Sequence, residues 1–208
     1  MEHLTKLFKI LELTRSQPQY GYALAGIKKD DLSNLAEHHY LVAIFAWQLA
    51  KSANLSGAKL NVEKVLEFAL THDLGELFGG DIGMPYSRVN KKARSFAKAF
   101  EAENLKFISQ FFGKQQKYFL ELTTEILDAS HDEALVAKLA DYIECSHYLL
   151  YVGHADQKGV DFTKRELLIK VRKFRDKKAR LFFTKFVNLW VKSFFKQNYK
   201  NFNWSMNS

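Results

Sequence analysis

The stretch THDLGELFGGDIGMP, Thr71 to Pro85, gathers four side chains of related chemistry: His72, Asp73, Glu76 and Asp81. It continues VEKVLEFAL, whose apolar periodicity predicts an amphipathic helix over 62–77 with buried leucines. At a helix C-terminus the backbone dipole disfavours acidic side chains, so Asp73 and Glu76 cost stability there unless something positive is near. His72 and Glu76 are four apart and Asp73 and Glu76 three apart, so on a helix they share one sector. A divalent cation is the simplest partner. The bland alternative is three exposed polar residues at a fraying end.

Two other segments set polar groups against apolar faces. His38 lies in LAEHHYLVA, one step before an apolar face begins, and only one of His38 and His39 need point inward. Asp141 interrupts ALVAKLADYIECSHYLL. A carboxylate beside such a face is rarely buried unless paired, and a surface salt bridge with Lys138, three residues earlier, is the competing reading. Together His38, His72, Asp73 and Asp141, on three helices, make a metal-ligand set. Two imidazoles and two carboxylates suit one divalent ion such as Mn²⁺, Co²⁺, Fe²⁺, Zn²⁺ or Mg²⁺. Four protein ligands leave positions on an octahedral ion for water or substrate, as a catalytic site requires. A second dipeptide, His131-Asp132, reads as structural. It falls at a helix start beside Ser130-x-x-Glu133, a capping-box spacing, where polar groups satisfy free backbone N–H groups.

The elements that must position these residues are helical. The 208 residues include only two prolines and ten glycines, so few breakers interrupt the periodic runs, and no strand signal survives. Helices are expected over about 3–14, from Leu35 through LAEHHYLVAIFAWQLAKSA, over 62–77, roughly 90–112, near 116–128, from about 130 to 152, roughly 163–175 and 177–198. Ser33 or Asn34 caps the second helix, whose buried face is expected to hold Leu35, Tyr40, Val42, Ala43, Ala46, Trp47 and Ala50. Gly79 and Gly80 end the third as a glycine C-cap. The expected architecture is an all-α, single-domain helical bundle, with residues 1–155 as the core and 156–208 as a basic helical extension packing on it. From Asp156 onward fourteen Lys/Arg face four Asp/Glu, so the net charge of +8 comes from this run and the rest of the chain is near neutral. That run reads first as a solvated face, and second as attraction for phosphorylated ligands or nucleic acid. Cys145 is the single cysteine, and the N-terminal stretch lacks the apolar block of a signal peptide. A soluble cytoplasmic protein without a membrane partner is expected.

The segments AEHHYLVA, THDLGELFGGDIGMP and ALVAKLADYIE, in this order and spacing, resemble the HD-domain metal-dependent phosphohydrolases, most closely their 5′-deoxynucleotidase branch. The resemblance covers about residues 8–152. It implies an HD-type fold, metal ligation by His38, His72, Asp73 and Asp141, a water-activating role for Glu76 and a sugar contact for Asp81. In the loop QPQYGY, Gln19 falls at the family's arginine position, and Arg15, four residues earlier, is the substitute cation for the substrate phosphate. Between Asp73 and Asp141 only His131 occurs, so the extra histidine pair of two-metal relatives is missing and a mononuclear site is expected. The implied activity is release of phosphate from (deoxy)nucleoside 5′-monophosphates. Two other readings stand beside it: a nucleoside di- or triphosphate pyrophosphohydrolase, and a nucleic-acid-binding protein with a vestigial metal site, the weakest of the three. Leftover apolar faces, including FFTKFVNLWVKSFF, are compatible with a homodimer.

Overall fold

A computed structural model describes residues 2–196. It contains nine α-helices among the described residues: α1 (Glu2–Leu11), α2 (Leu35–Leu55), α3 (Val62–Thr71), α4 (Met84–Val89), α5 (Lys91–Ser109), α6 (Gln116–Asp128), α7 (Asp132–Tyr151), α8 (Gln157–Val171) and α9 (Lys177–Ser193). Short 3₁₀ turns join several of them, and no strand occurs among the described residues. No described helix is long and apolar enough to cross a membrane.

The centre of the bundle is α2, α3 and α7. Small residues on α2 (Ala43, Ala46, Ala50 and Ala53) let its neighbours approach closely, and Val65, Phe68, Val136, Leu139 and Ala140 fill the seam. Phe68 is fully buried, a contribution of about 2–3 kcal/mol from one side chain. Helices α8 and α9 and the turn between them add Leu167, Phe174, Phe183 and Val187 to the same apolar cluster. A second cluster (Leu35, Leu74, Leu77, Leu105, Ile108 and Phe119) lies beneath the chain that leaves α3 and fixes that segment.

Caps set the boundaries. Asn34 caps α2: its side chain accepts from Glu37 N, and Glu37 reaches back, completing a capping box. The box expected at Ser130/Glu133 does not form. His131 is the N-cap residue without a side-chain bond, Ser130 Oγ turns back to Glu125 O, and Glu133 instead accepts from Asn61 N at 3.0 Å. Asp132 accepts from the backbone of Arg175 and Asp176, both at 2.8 Å, so this half of the second His-Asp pair ties α7 to the α8–α9 turn. Asp176 caps α9 and also takes Lys59 N, at 2.9 Å.

Other expectations are corrected. The helix expected over 62–77 ends at Thr71, because Asp73 leaves helical geometry (φ −118°, ψ 17°) and Leu74–Glu76 forms a 3₁₀ turn. The run expected over 90–112 breaks after Ser109, and Gly113 takes φ 59°. α8 starts six residues before the expected 163, because Asp156 accepts from Gly159 N and caps it. Tyr40 and Trp47 are exposed rather than buried. They are seven residues apart and share a side of α2, roughly 200° round the helix from Val42. The expected end of the last helix, 197–198, lies outside the described residues.

Candidate metal centre

His38 comes from α2, His72 is the C-cap residue of α3 with Asp73 next to it, and Asp141 comes from α7. The structure brings all four together: one ligand atom from each lies within 4.8 Å of the others. His38 Nε2 is 3.1 Å from His72 Nε2 and 3.6 Å from both Asp73 Oδ2 and Asp141 Oδ1. The helix break after Thr71 does the positioning, since it turns His72 and Asp73 toward α2 and α7 instead of leaving them on a solvent-facing last turn.

The outer nitrogens of both rings have partners. His72 Nδ1 lies 2.9 Å from Ala69 O, and a carbonyl can only accept, so Nδ1 carries the proton and Nε2 presents a lone pair inward. His38 Nδ1 lies 2.6 Å from the buried carboxylate of Glu144, with the same consequence. Two lone pairs facing each other at 3.1 Å repel unless a cation lies between them. Without metal, a proton supplies it. Burial opposes charge on His38, but Asp73, Glu144 and Asp141 outweigh it and push its pKa up to about 10. Burial also works against charge on Asp73, yet His72 and His38 hold its carboxyl well below the usual range. To ligate a metal, His38 must give up that proton. The donor set fits a divalent ion: two imidazole lone pairs and two carboxylates with 18% and 17% side-chain exposure, open on one side. Cys145 and Glu144 also approach His38, Glu144 through Nδ1 rather than the Nε2 that faces the other three ligands, and burial, with Asp141 and Glu144 nearby, pushes the Cys145 thiol well up. Glu144 therefore supports His38 from behind, as an outer carboxylate does for a metal-bound histidine.

Glu76 stands at the end of the 3₁₀ turn. Burial, then Asp73, Asp81 and Glu101, raise its carboxyl well above the ordinary value. Asn104 Nδ2 donates to Gly75 O at 2.7 Å and fixes the turn. Gly79 and Gly80, with φ of 98° and 106°, then swing the chain so that Asp81 faces the pocket. Asp81 accepts from Gly21 N at 2.5 Å, which ties the QPQYGY loop to the site. Its carboxyl is raised by burial, against the lowering effect of that N–H. Glu76, Asp81 and Glu101 line a cavity of about 150 Å³ together with Arg94 and Lys98.

Arg15 is not brought to this cluster. Its side chain is exposed and donates to Glu12 at 2.7 Å. Gln19 is buried, and its Oε1 has no partner. His39 is buried as well as His38, behind His72 with ring centroids 5.0 Å apart; burial, then His72, drop its pKa to about 3 and keep it neutral. Lys138 forms no ion pair with Asp141; it is half-buried within the acidic group. Sequence reasoning missed Glu144 and Glu101. For Glu144 the available signal was its place three residues after Asp141, on an otherwise apolar helix.

The sequence profile of the HD domain family matches residues 15–179, and the chain belongs to that family. Among curated relatives, the chain is 30% identical over 142 residues to a 5′-deoxynucleotidase of Vibrio vulnificus, covering 64% of this chain and 73% of that protein. It is 24% identical over 149 residues to a 5′-deoxynucleotidase of Dictyostelium discoideum, covering 69% and 74%. Among solved structures, a conserved hypothetical protein from Pyrococcus furiosus shares the fold with a TM-score of 0.67 at 22% identity, over 90% of this chain and 98% of that one.

Proposed function

We propose that this chain is a metal-dependent phosphomonoesterase that releases phosphate from (deoxy)nucleoside 5′-monophosphates. The observation that carries the reading is the pair of inward Nε2 lone pairs 3.1 Å apart, flanked by Asp73 and Asp141. The named activity of the Vibrio and Dictyostelium relatives supplies the substrate class. His38, His72, Asp73 and Asp141 would hold one divalent ion. Such an ion polarises a phosphoryl oxygen and lowers the pKa of bound water.

The remaining steps belong to the chain's own residues. Glu76 takes a proton from the attacking water as oxygen bonds to phosphorus, and a proton returns to the 5′-oxygen as its bond to phosphorus breaks. The raised pKa of Glu76 suits both halves of that transfer. Asp81, held by Gly21 N, accepts from a sugar hydroxyl with a remaining lone pair. Glu144 orients His38. Arg15 receives no role, because its contact is with Glu12 at the surface. The basic overall charge favours arrival of an anion. A cytoplasmic setting fits the single free cysteine.

The test is a panel of nucleoside mono-, di- and triphosphates with metal-loaded protein, scored separately for phosphate and pyrophosphate. Phosphate from monophosphates alone supports the reading. Pyrophosphate from triphosphates would replace it with a pyrophosphohydrolase.

A further inference from the structure

Lys138 sits on α7, one turn before Asp141. Its side chain is half-buried, and it forms neither an ion pair nor a hydrogen bond with any described residue. Its surroundings are acidic. Burial works against its charge, but Asp73 and Asp141, then Glu101 and Glu76, outweigh it and keep the ammonium charged. Buried charges are ordinarily paired. A charged ammonium among four carboxylates and bonded to none is therefore placed for a partner that the chain does not supply.

The charge count indicates which partner. A divalent ion on the four ligands balances Asp73 and Asp141, the two carboxylates that do most to hold Lys138. What remains near the ammonium is Glu76 and Glu101, both of which burial raises toward the neutral form. A phosphate dianion on the open side of the cluster supplies the missing negative charge. A lysine, as a compact point charge, suits this place better than a planar guanidinium, which needs a bidentate approach.

We infer that Lys138 is a substrate-binding residue of this centre: its ammonium donates to a phosphoryl oxygen and offsets the charge that grows there as the ester bond breaks. The inference deepens the phosphomonoesterase reading and rests on it, and it gives Lys138 the role for which the sequence offered Arg15.

The test is calorimetric titration of inorganic phosphate into Mn²⁺-loaded wild type, Lys138→Met and Lys138→Arg, with Mn²⁺ affinity and steady-state kinetics measured on the same preparations. Lys138→Met should bind Mn²⁺ at least as tightly as wild type, because a like charge is gone. Its phosphate Kd should rise by about tenfold or more, and kcat/KM should fall by about 100-fold, with Lys138→Arg recovering part of both. An unchanged phosphate Kd in Lys138→Met overturns the inference, as does absence of phosphate binding by the wild type. A parallel loss of Mn²⁺ affinity in both variants would also overturn it, by marking a structural role. Phosphate binding that depends on Lys138, with no phosphate released from any nucleotide, would leave the inference standing and sink the nucleotidase reading instead.

Discussion

His38 and His72 can face each other at 3.1 Å because each gives its outer N–H to a fixed acceptor, Glu144 and Ala69 O respectively. Removing the first acceptor should therefore be felt at the metal. Glu144→Ala is expected to weaken Mn²⁺ binding by about 10–100-fold, and Glu144→Gln by less, because an amide oxygen still accepts from Nδ1. Calorimetry on the two variants checks the order; equal, undiminished affinity would show that Glu144 does not hold the ring. Glu76 is a different case. Glu76→Gln should keep the metal and the melting temperature, since the amide keeps the size and shape of the acid and Glu76 is not among the four ligands. Its turnover should fall by about 10²–10⁴-fold, and full turnover at saturating metal would remove it from the proton path. At this scale the residue types at the cluster were legible, because two His and two Asp against apolar periodicity have few inexpensive structural explanations. Glu144 and Lys138 were not. Each reads as an ordinary helix-surface charge until the packing of α7 on α2 and α3 shows what it faces.

Among the elements, the decisive one is the break after Thr71. The sequence reads as continuous helix to 77, but the preference of Leu74 and Leu77 for the second apolar cluster turns the chain and brings His72 and Asp73 round with it. Local periodicity cannot show this, since the burial partners are Leu35, Leu105 and Ile108 on distant segments. Gly75 lets the turn lie against α5. A Cβ there would run into the Glu101 side chain and come within 3.2 Å of Glu101 O. Gly75→Ala should cost about 1–3 kcal/mol in denaturant unfolding and reduce activity with it. The start of α8 was missed for a simpler reason, the capping by Asp156, which its own sequence could have signalled. Asp176 offers a pH test of the α9 junction. Burial opposes its charge, but N–H groups of Ala179, Lys59 and Lys178 together outweigh it and hold its pKa below the ordinary 3.8. A carboxylate lowered in the folded state stabilises above its unfolded pKa, and that stabilisation is lost as pH falls through the folded value. Asp176→Ala should thus lose about 1 kcal/mol at neutral pH. The gap to wild type should narrow progressively below pH 3.8. A gap that stays constant down to pH 2 would contradict the capping account.

For the molecule as a whole, the all-helical class followed from the scarcity of breakers. Leu167, Phe174, Phe183 and Val187 extend the apolar cluster that backs α2, α3 and α7, while the lysines and arginines between them carry the positive field. Because exposed charges are screened over roughly 8–10 Å at physiological salt, nucleotide KM should rise when ionic strength is raised, with kcat nearly unchanged. A KM that ignores salt would mean the field plays no part in capture. The central claim is that side chains from α2, the end of α3 and α7 form one metal-dependent phosphomonoesterase centre. The most direct measurement is phosphate release from a deoxynucleoside 5′-monophosphate by metal-stripped protein, with a single divalent ion added back and Asp73→Ala run beside it. The account predicts no release without metal, release restored by an ion such as Mn²⁺ or Co²⁺, and none from Asp73→Ala with either. Release that persists in the stripped protein, or in Asp73→Ala, would contradict it.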